Sequence, residues 1–329
     1  MATANLLIEL GCEDLPARFQ QPLLRALRDG VSQGLDSANV SRGSITSYVT
    51  PRRVAVLVRD VAGEQPEQSI RRQGPAVKAA IRDGQPTKAG LGFAQSCGVD
   101  FADLERVETS KGEYLVYATT QPGQSLNAII PRIFDDCLKQ MDKLAPKRMR
   151  WGDGDATFVR PVQWICALHG NAIMPLEAFG LKSSNITFGH RFHHPEGIAL
   201  HDANDYEGAL RNAHVWADAS TRRAEISRQV EQAGRACGGV ARQDEDLLDE
   251  VTALVEWPVA VHGRFEERFL DVPAEAIVLT IQENQRYFPV FDESNALLPH
   301  FITVANIDSR DVEQVIAGNE RVVRPRLED

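Results

Sequence analysis

Short apolar runs of strand length alternate with longer amphipathic segments along this chain of 329 residues, and this alternation restricts the possible folds more than any other feature. Residues 5–10 and 54–58 predict buried strands. Residues 244–255 predict the clearest helix, because acidic residues precede apolar residues that share one helical face. The connecting segments vary in length, so the sequence predicts an α+β fold with mixed, partly antiparallel sheets and packed helices.

The length suggests about two domains, and a proline follows the helix predicted at 125–144. We therefore predict an N-terminal α+β region at 1–145 and a second α+β region at 146–329. Further strands are predicted at 114–119, 164–168, 198–200, 259–261 and 301–305, and further helices at 19–35, 204–213, 220–236 and 273–284. The helical pattern from 311 to 329 ends without a glycine cap, so we expect a chain truncated within a longer protein.

The cysteines and the N-terminal segment indicate the cellular environment. The five cysteines are odd in number and form no Cys-x-x-Cys pair, so neither a disulfide framework nor a zinc ribbon is predicted. The N-terminus lacks the basic start of a secretory signal, and no stretch approaches the ~18 apolar residues of a membrane helix. We expect a cytoplasmic protein with no membrane partner.

Recognisable catalytic and metal-binding motifs are missing from the sequence. It contains neither a GxxxxGK[ST] phosphate loop nor a Gly-x-Ser-x-Gly elbow. The segment GHRFHH and the later pair His201-Asp202 superficially resemble the metal ligands of phosphohydrolases. Those ligands are spread over several helices, whereas these residues fall in a segment predicted as loop and strand. We therefore expect no metal site and no catalytic residue.

The charges of the chain are segregated. A formal net charge of −10, taken alone, argues against a nucleic-acid partner. However, residues 42–88 contain nine Lys or Arg against four Asp or Glu, and residues 139–192 contain eight against four. Residues 242–320 contain five bases against seventeen acids. Such segregation suits a basic face for a polyanion on an otherwise acidic protein.

The segment PKRMRWGDGD is the sharpest candidate for contact with a nucleic acid. Lys147, Arg148 and Arg150 precede Trp151 and a Gly-Asp-Gly-Asp stretch. Alternating bases beside an indole can hold a phosphate backbone and stack on a nucleobase. The alternative is that the bases form a solvated face and that the tryptophan belongs to the core.

Several segments together resemble the β subunit of the bacterial heterotetrameric glycyl-tRNA synthetase. They are, in chain order, LIELGCEDLP, TPRRVAVLV, QGPAVKAA, PTKAGLGFAQSCGV, PKRMRWGDGDATFVRPVQW, GHRFHHP, DEDLLDEVTALVEWPVAV and VIAGNERVVRPRL. The resemblance extends from end to end in order. Family members are longer, so this chain is similar to their N-terminal half.

The resemblance implies that the α and β subunits have different roles. The family's α subunit forms glycyl-adenylate from glycine and ATP with Mg, and the β subunit recognises and positions glycine tRNA in an α2β2 assembly with a second β subunit. No cofactor is implied for this chain. The resemblance also implies, within 146–329, a region similar to the editing-type domain of the phenylalanyl-tRNA synthetase β subunit. A phosphohydrolase-like domain is expected beyond residue 329.

The basic and aromatic positions of the shared motifs give the candidate tRNA contacts. They are Arg52, Arg53, Lys147, Arg148, Arg150, Trp151, Arg160, His190, Arg191 and His193. Our hypothesis is that these residues line a surface facing the acceptor arm, where phosphate contacts position the RNA. For Arg53 and Arg160 the alternative is that they brace loops by bonding backbone carbonyls.

Two other functions remain as alternatives. The similarity to an editing-type domain suggests a hydrolase for misacylated tRNA, although a pocket that admits only glycine already excludes larger amino acids sterically. The other alternative is a structural scaffold that holds the α subunits.

Overall fold

The computed structural model describes residues 2–145, 148–151 and 157–328. The strands are β1 (Thr3–Cys12), β2 (Ile45–Thr50), β3 (Arg53–Ala62), β4 (Gln68–Ala76), β5 (Ile81–Arg82), β6 (Gln85–Pro86), β7 (Glu105–Thr109), β8 (Gly112–Gln121), β9 (Met149–Arg150), β10 (Thr157–Phe158), β11 (Val162–His169), β12 (Ala172–Ile173), β13 (Glu177–Ala178), β14 (Leu181–Lys182), β15 (Ile186–Phe188), β16 (Gly197–Ala199), β17 (Val240–Ala241), β18 (Val259–Arg264), β19 (Phe288–Phe291) and β20 (Leu297–Ala305). The α-helices are α1 (Ala17–Ser37), α2 (Val77–Ala80), α3 (Lys88–Cys97), α4 (Leu126–Leu144), α5 (Tyr206–Asn212), α6 (Ala219–Ala236), α7 (Glu245–Thr252), α8 (Ala274–Leu279) and α9 (Val312–Glu328).

The central sheet has five strands in the order β12-β11-β1-β3-β2, and every neighbouring pair is antiparallel. Residues 54–58 were predicted as a strand because they are continuously apolar, and they lie in β3, between β1 and β2. The sheet takes strands from both sides of residue 146, because β11 pairs with β1. The predicted division at that residue therefore falls within one sheet.

Helices cover one face of the central sheet. α1 and α4 pack there, and the buried residues of α1 recur about every four positions, which places them on one side of the helix (Leu23, Leu24, Leu27, Val31, Leu35). A second cluster covers the opposite face, where Tyr206 and Leu210 of α5 pack on Leu7 and Leu57. Both faces of the sheet are therefore buried, as the apolar character of β1 and β3 requires.

A smaller antiparallel sheet, in the order β4-β8-β7, lies between β3 and α4 in the chain, and α2 and α3 accompany it. The segments that join it to β3 and to α4 run side by side. The Gln65 N–H donates to the Gln124 carbonyl at 2.9 Å, and the Gln124 N–H donates to Gln65 Oε1 at 3.0 Å. Only β8 of its three strands was predicted, because β4 and β7 are mostly exposed and lack an apolar pattern.

The C-terminal part forms a four-stranded sheet in the order β17-β19-β20-β18, and α6 and α7 pack against it. The helix predicted at 244–255 is α7, where the Asp244 side chain accepts a hydrogen bond from the Leu247 amide as an N-cap. The α+β class is confirmed, and all pairs between named strands are antiparallel. None of the helices in the described ranges is long and apolar enough to cross a membrane.

Candidate nucleic-acid interface

One end of the central sheet gathers several of the predicted site residues. β1 ends there and β3 and β11 begin there, because Gly11 pairs with Arg53 and Cys12 pairs with Val162. The loop at 189–194 closes onto the same end, since Arg52 Nη1 donates to the Gly189 carbonyl at 3.1 Å. We call the surface formed by Arg52, Arg160 and Arg191 the basic sheet end.

Arg53 lies beneath this surface and is fully buried. Its Nη1 donates to the Phe188 carbonyl at 2.6 Å, and its guanidinium forms ion pairs with Glu256 at 3.2 Å and Glu9 at 3.4 Å. Burial alone would lower the pKa of Arg53, but Glu256 and Glu9 outweigh it and raise the pKa above its ordinary value. A buried guanidinium with these partners has no face for an RNA phosphate, so the bracing alternative describes Arg53.

Glu9 lies at the centre of this buried network of hydrogen bonds and ion pairs. Its carboxylate accepts hydrogen bonds from the Trp164 indole at 2.5 Å, the Tyr206 hydroxyl at 2.5 Å and the Thr187 hydroxyl at 2.7 Å. Because the carboxylate has several donors as well as Arg53, its burial does not leave an uncompensated charge. The sequence analysis missed Glu9, although an acid inside the apolar run of β1 was a signal for a buried polar contact.

A second buried arginine completes the charge balance. Arg222 is fully buried and donates to three backbone carbonyls, those of Trp216 at 2.6 Å, Val49 at 2.9 Å and Thr252 at 3.1 Å. Burial lowers the pKa of Arg222 to about 10. With Arg53 and the two buried glutamates it forms a set of four charges of zero net charge. This set joins the central sheet to the segment that follows α7.

Arg52 borders a pocket of about 230 Å³ at the surface of the basic sheet end. Its guanidinium lies over the ring of Trp164, 5.5 Å from the ring centroid, and burial lowers the pKa of the group. The exposed side chains of Phe192 and Leu254 line the same pocket. The half-buried Arg52 therefore offers a fixed cation beside an apolar wall.

His190 and His193 fix the loop at 189–194. His190 is 1% exposed, its Nε2 donates to the Asn306 carbonyl at 2.7 Å, and its Nδ1 accepts from the amides of Phe192 and His193. His193 Nε2 accepts from the Asp308 amide at 3.0 Å. Burial lowers the pKa of both imidazoles, so the neutral forms that these bonds require are favoured. His190 therefore positions the loop and has no surface for RNA.

Arg191 is the exposed cation of this loop. It forms ion pairs with Asp14 at 3.1 Å and Glu13 at 3.5 Å, and 42% of its side chain is exposed. The next residue, Phe192, is 68% exposed. Arg191 is therefore exposed at the surface, but its guanidinium already pairs with two acids on the segment after β1.

The KRMRW segment lies beside the basic sheet end. Lys147 is outside the described residues. Arg148 pairs with Asp142 at 2.9 Å, and Arg150 lies exposed in β9, which pairs with β10. Arg160 reaches back to this hairpin, since its Nη1 donates to the sulfur of Met149 at 3.4 Å. The two groups of predicted arginines are therefore neighbours in space.

Trp151 lies at the edge of the hydrophobic core. Its ring lies 5.7 Å from that of Phe179, which in turn contacts Phe158, and it packs on the cluster beneath α1 and α4. This packing matches the alternative in which the tryptophan is a core residue.

No group of three or more His, Cys, Asp or Glu side chains suited to a metal ion occurs within 2–145, 148–151 and 157–328. His201 and Asp202 lie instead in a loop before α5, where Asp202 caps the short turn at Ala203–Asp205. The acid of this pair therefore has a structural role.

Sequence comparison matches residues 6–329 to the family described as glycyl-tRNA synthetase beta subunit. The chain is 49% identical over its whole length to the glycine–tRNA ligase beta subunit of Chromohalobacter salexigens and covers 48% of that protein. It is 47% identical to the corresponding subunit of Marinobacter nauticus, again over all of this chain and 48% of the relative. A third relative, from Hahella chejuensis, is 46% identical over 99% of this chain and 47% of its own length. The chain thus spans about half the length of the relatives it matches.

Proposed function

Because this chain belongs to the glycyl-tRNA synthetase β-subunit family, we propose that it works in the cytoplasm as the N-terminal half of the β subunit of a glycine–tRNA ligase. In this proposal it positions the acceptor arm of glycine tRNA. The enzyme attaches glycine to that tRNA with ATP, and catalysis takes place in the α subunit.

The observation that carries this proposal is the adjacency of the basic sheet end and the paired strands β9 and β10. Arg148, Arg150 and Arg191 are exposed there, and Arg52 and Arg160 are half-buried. Guanidinium groups that pair with phosphates contribute salt-dependent affinity without reading sequence. Arg53, Glu9 and Glu256 form a buried network beneath the basic sheet end, and such bracing suits a positioning role.

The proposal assigns ATP and Mg to the α subunit and no catalytic residue or cofactor to this chain. It includes the α subunit, glycine tRNA and a second β subunit as partners. The support is the family description as a beta subunit, which presupposes another chain.

Binding of glycine tRNA to the assembled enzyme tests the proposal. Lys147, Arg148 and Arg150 are replaced together by Gln. The matched control replaces Arg28 of α1 and Arg228 and Arg235 of α6, which are exposed. We expect the first variant to bind tRNA at least tenfold more weakly and to lose about one unit of salt slope per phosphate contact removed. Equal affinity of the two variants would remove the KRMRW segment from the proposed interface.

We also propose that the region 146–329 is similar to the editing-type domain of the phenylalanyl-tRNA synthetase β subunit. Hydrolysis of misacylated tRNA is the competing function, and the pocket beside Arg52 is the place for it. Positioning is favoured, because His190 at this pocket has both ring nitrogens bonded within the chain. Release of amino acid from mischarged tRNA, abolished by His190→Gln, would reverse this preference.

A further inference from the structure

Four half-buried aromatic side chains form a continuous strip next to the loop at 189–194. His193 and His214 stack with ring centroids 4.7 Å apart, His214 and Trp257 are 4.8 Å apart, and Trp257 and Trp216 are 6.4 Å apart. The members come from three connections: the loop before β16, the link between α5 and α6, and the link between α7 and β18. We call these four residues the aromatic strip.

Backbone hydrogen bonds fix the strip in place. The Trp216 amide donates to the Glu256 carbonyl at 2.9 Å, and the Trp257 amide donates to Asn306 Oδ1 at 3.0 Å. His214 is held at a φ of 61°, a conformation that residues other than glycine rarely adopt. Such a backbone conformation persists where the surroundings determine it, so the fold sets the position of the His214 ring.

Arg211 lies at one end of the strip, and at the other end Arg191 precedes His193 by two residues in the chain. Arg211, which is exposed, stacks over the ring of Trp216. At the other end, the ring of His190 lies 4.7 Å from His193 and 6.0 Å from the exposed ring of Phe192, beside Arg191. His193 accepts a hydrogen bond at Nε2, so its ring is a neutral aromatic surface.

The two histidine rings stack on each other and Arg211 covers one face of Trp216, so the half-buried ring of Trp257 is the candidate surface for an unpaired nucleotide. A nucleobase stacks on an aromatic ring whatever its sequence, and guanidinium groups pair with the adjoining phosphates. A base inside a duplex is already stacked on its neighbours and does not offer this face. A protein partner is less favoured, because the members of the strip are rings and the groups at its ends include guanidinium groups.

We propose that the aromatic strip binds unpaired nucleotides of the tRNA by stacking, with Arg211 and Arg191 contacting the adjoining phosphates. This inference rests on the proposed function and adds to it a surface selective for single strands. The arginines of the KRMRW segment, in contrast, hold phosphates whether or not the bases are paired.

The test uses the assembled enzyme and two RNA probes of the same length and composition, a single-stranded oligonucleotide and a hairpin whose loop is too short to leave a run of unpaired bases. We expect the single strand to bind about tenfold more tightly than the hairpin. It should also quench tryptophan fluorescence, and Trp257→Leu should remove both the preference and most of the quenching. Arg242→Gln is the matched control, because Arg242 also lies over an aromatic ring, that of Phe291 in β19, which is no part of the strip.

Arg211→Gln is a second variant, placed at an exposed side chain so that the fold is retained. It should weaken single-strand binding several-fold and leave hairpin binding unchanged. The proposal is overturned if Trp257→Leu and Arg211→Gln both keep the single-strand preference. It is also overturned if these variants lose the α subunit while keeping RNA affinity, which would assign the strip to a protein partner. If the strip variants bind RNA as tightly as the wild type while the KRMRW variant still loses tRNA affinity, the stacking proposal is wrong and the proposed function stands.

Discussion

Arg53 and Glu256 form a fully buried ion pair of 3.2 Å, although 203 residues separate them in the sequence. Arg53 opens β3 of the central sheet, and Glu256 follows α7 of the C-terminal part. The Thr50 hydroxyl donates to the same glutamate at 2.6 Å. The pair therefore joins the central sheet to the segment between α7 and β18, under the surface proposed to face tRNA.

Replacement of Arg53 by Met should destabilise the protein by about 3–5 kcal/mol, because Glu9 and Glu256 would remain buried without their cation. Urea unfolding measures the effect. Arg28→Met is the control, since its ion pair is exposed and such pairs contribute about 0–1 kcal/mol. Adding Glu256→Gln to Arg53→Met should recover part of the loss, and a purely additive result would contradict the pairing.

Replacement of Gly11 by Ala should also be destabilising, for a steric reason. A Cβ at this position would lie 1.9 Å from the Trp164 ring, so the indole that donates to Glu9 would have to move. We expect a loss of about 1–3 kcal/mol in unfolding free energy. Gly92→Ala in α3 has no atom within 4 Å of the new methyl group and should stabilise slightly. Similar effects of the two changes would contradict the packing.

The pH dependence of stability should report the buried histidines. Burial lowers the pKa of His190 and His193 in the folded state. Just below pH 6.5, which is about the ordinary pKa of histidine, the unfolded chain therefore binds more protons than the folded chain. Stability should therefore be complete above about pH 7.5 and fall as the pH drops through 6.5. Urea unfolding between pH 5 and 8 measures this slope.

His190→Gln should flatten the slope, although it lowers stability at neutral pH. His193, His262 and His300, whose pKa values burial also lowers, should account for the part of the slope that remains. A slope that His190→Gln leaves unchanged would show that His190 is not neutral in the folded protein.

Trp151→Ala separates the two roles that the sequence left open for this residue. Because Trp151 packs on Phe179, we expect a loss of about 1–3 kcal/mol in stability. We expect little change in tRNA affinity at temperatures where the variant is folded. Equilibrium unfolding and a tRNA titration measure the two quantities, and a stable variant with weakened binding would restore the stacking role.

Several elements were predictable from the sequence because their patterns are local. The helix α7 carries its own cap and apolar face, α1 carries its four-residue spacing, and β3 is continuously apolar. Each of these patterns arises from the geometry of one element and needs no distant partner. The strands β4 and β7 were missed because mostly exposed edge strands carry no such pattern.

The sequence by itself determined the α+β class, the main helices and strands, the segregation of charge and the family resemblance. Only the tertiary structure decided that Arg53 and His190 are buried braces, that Arg191 is exposed, and that His193, His214, Trp257 and Trp216 adjoin. The physical reason is that burial and contact depend on which distant segments pack together. Side chains from separate loops come into contact only after the sheets have formed, and no periodicity within a single segment indicates which of them will do so.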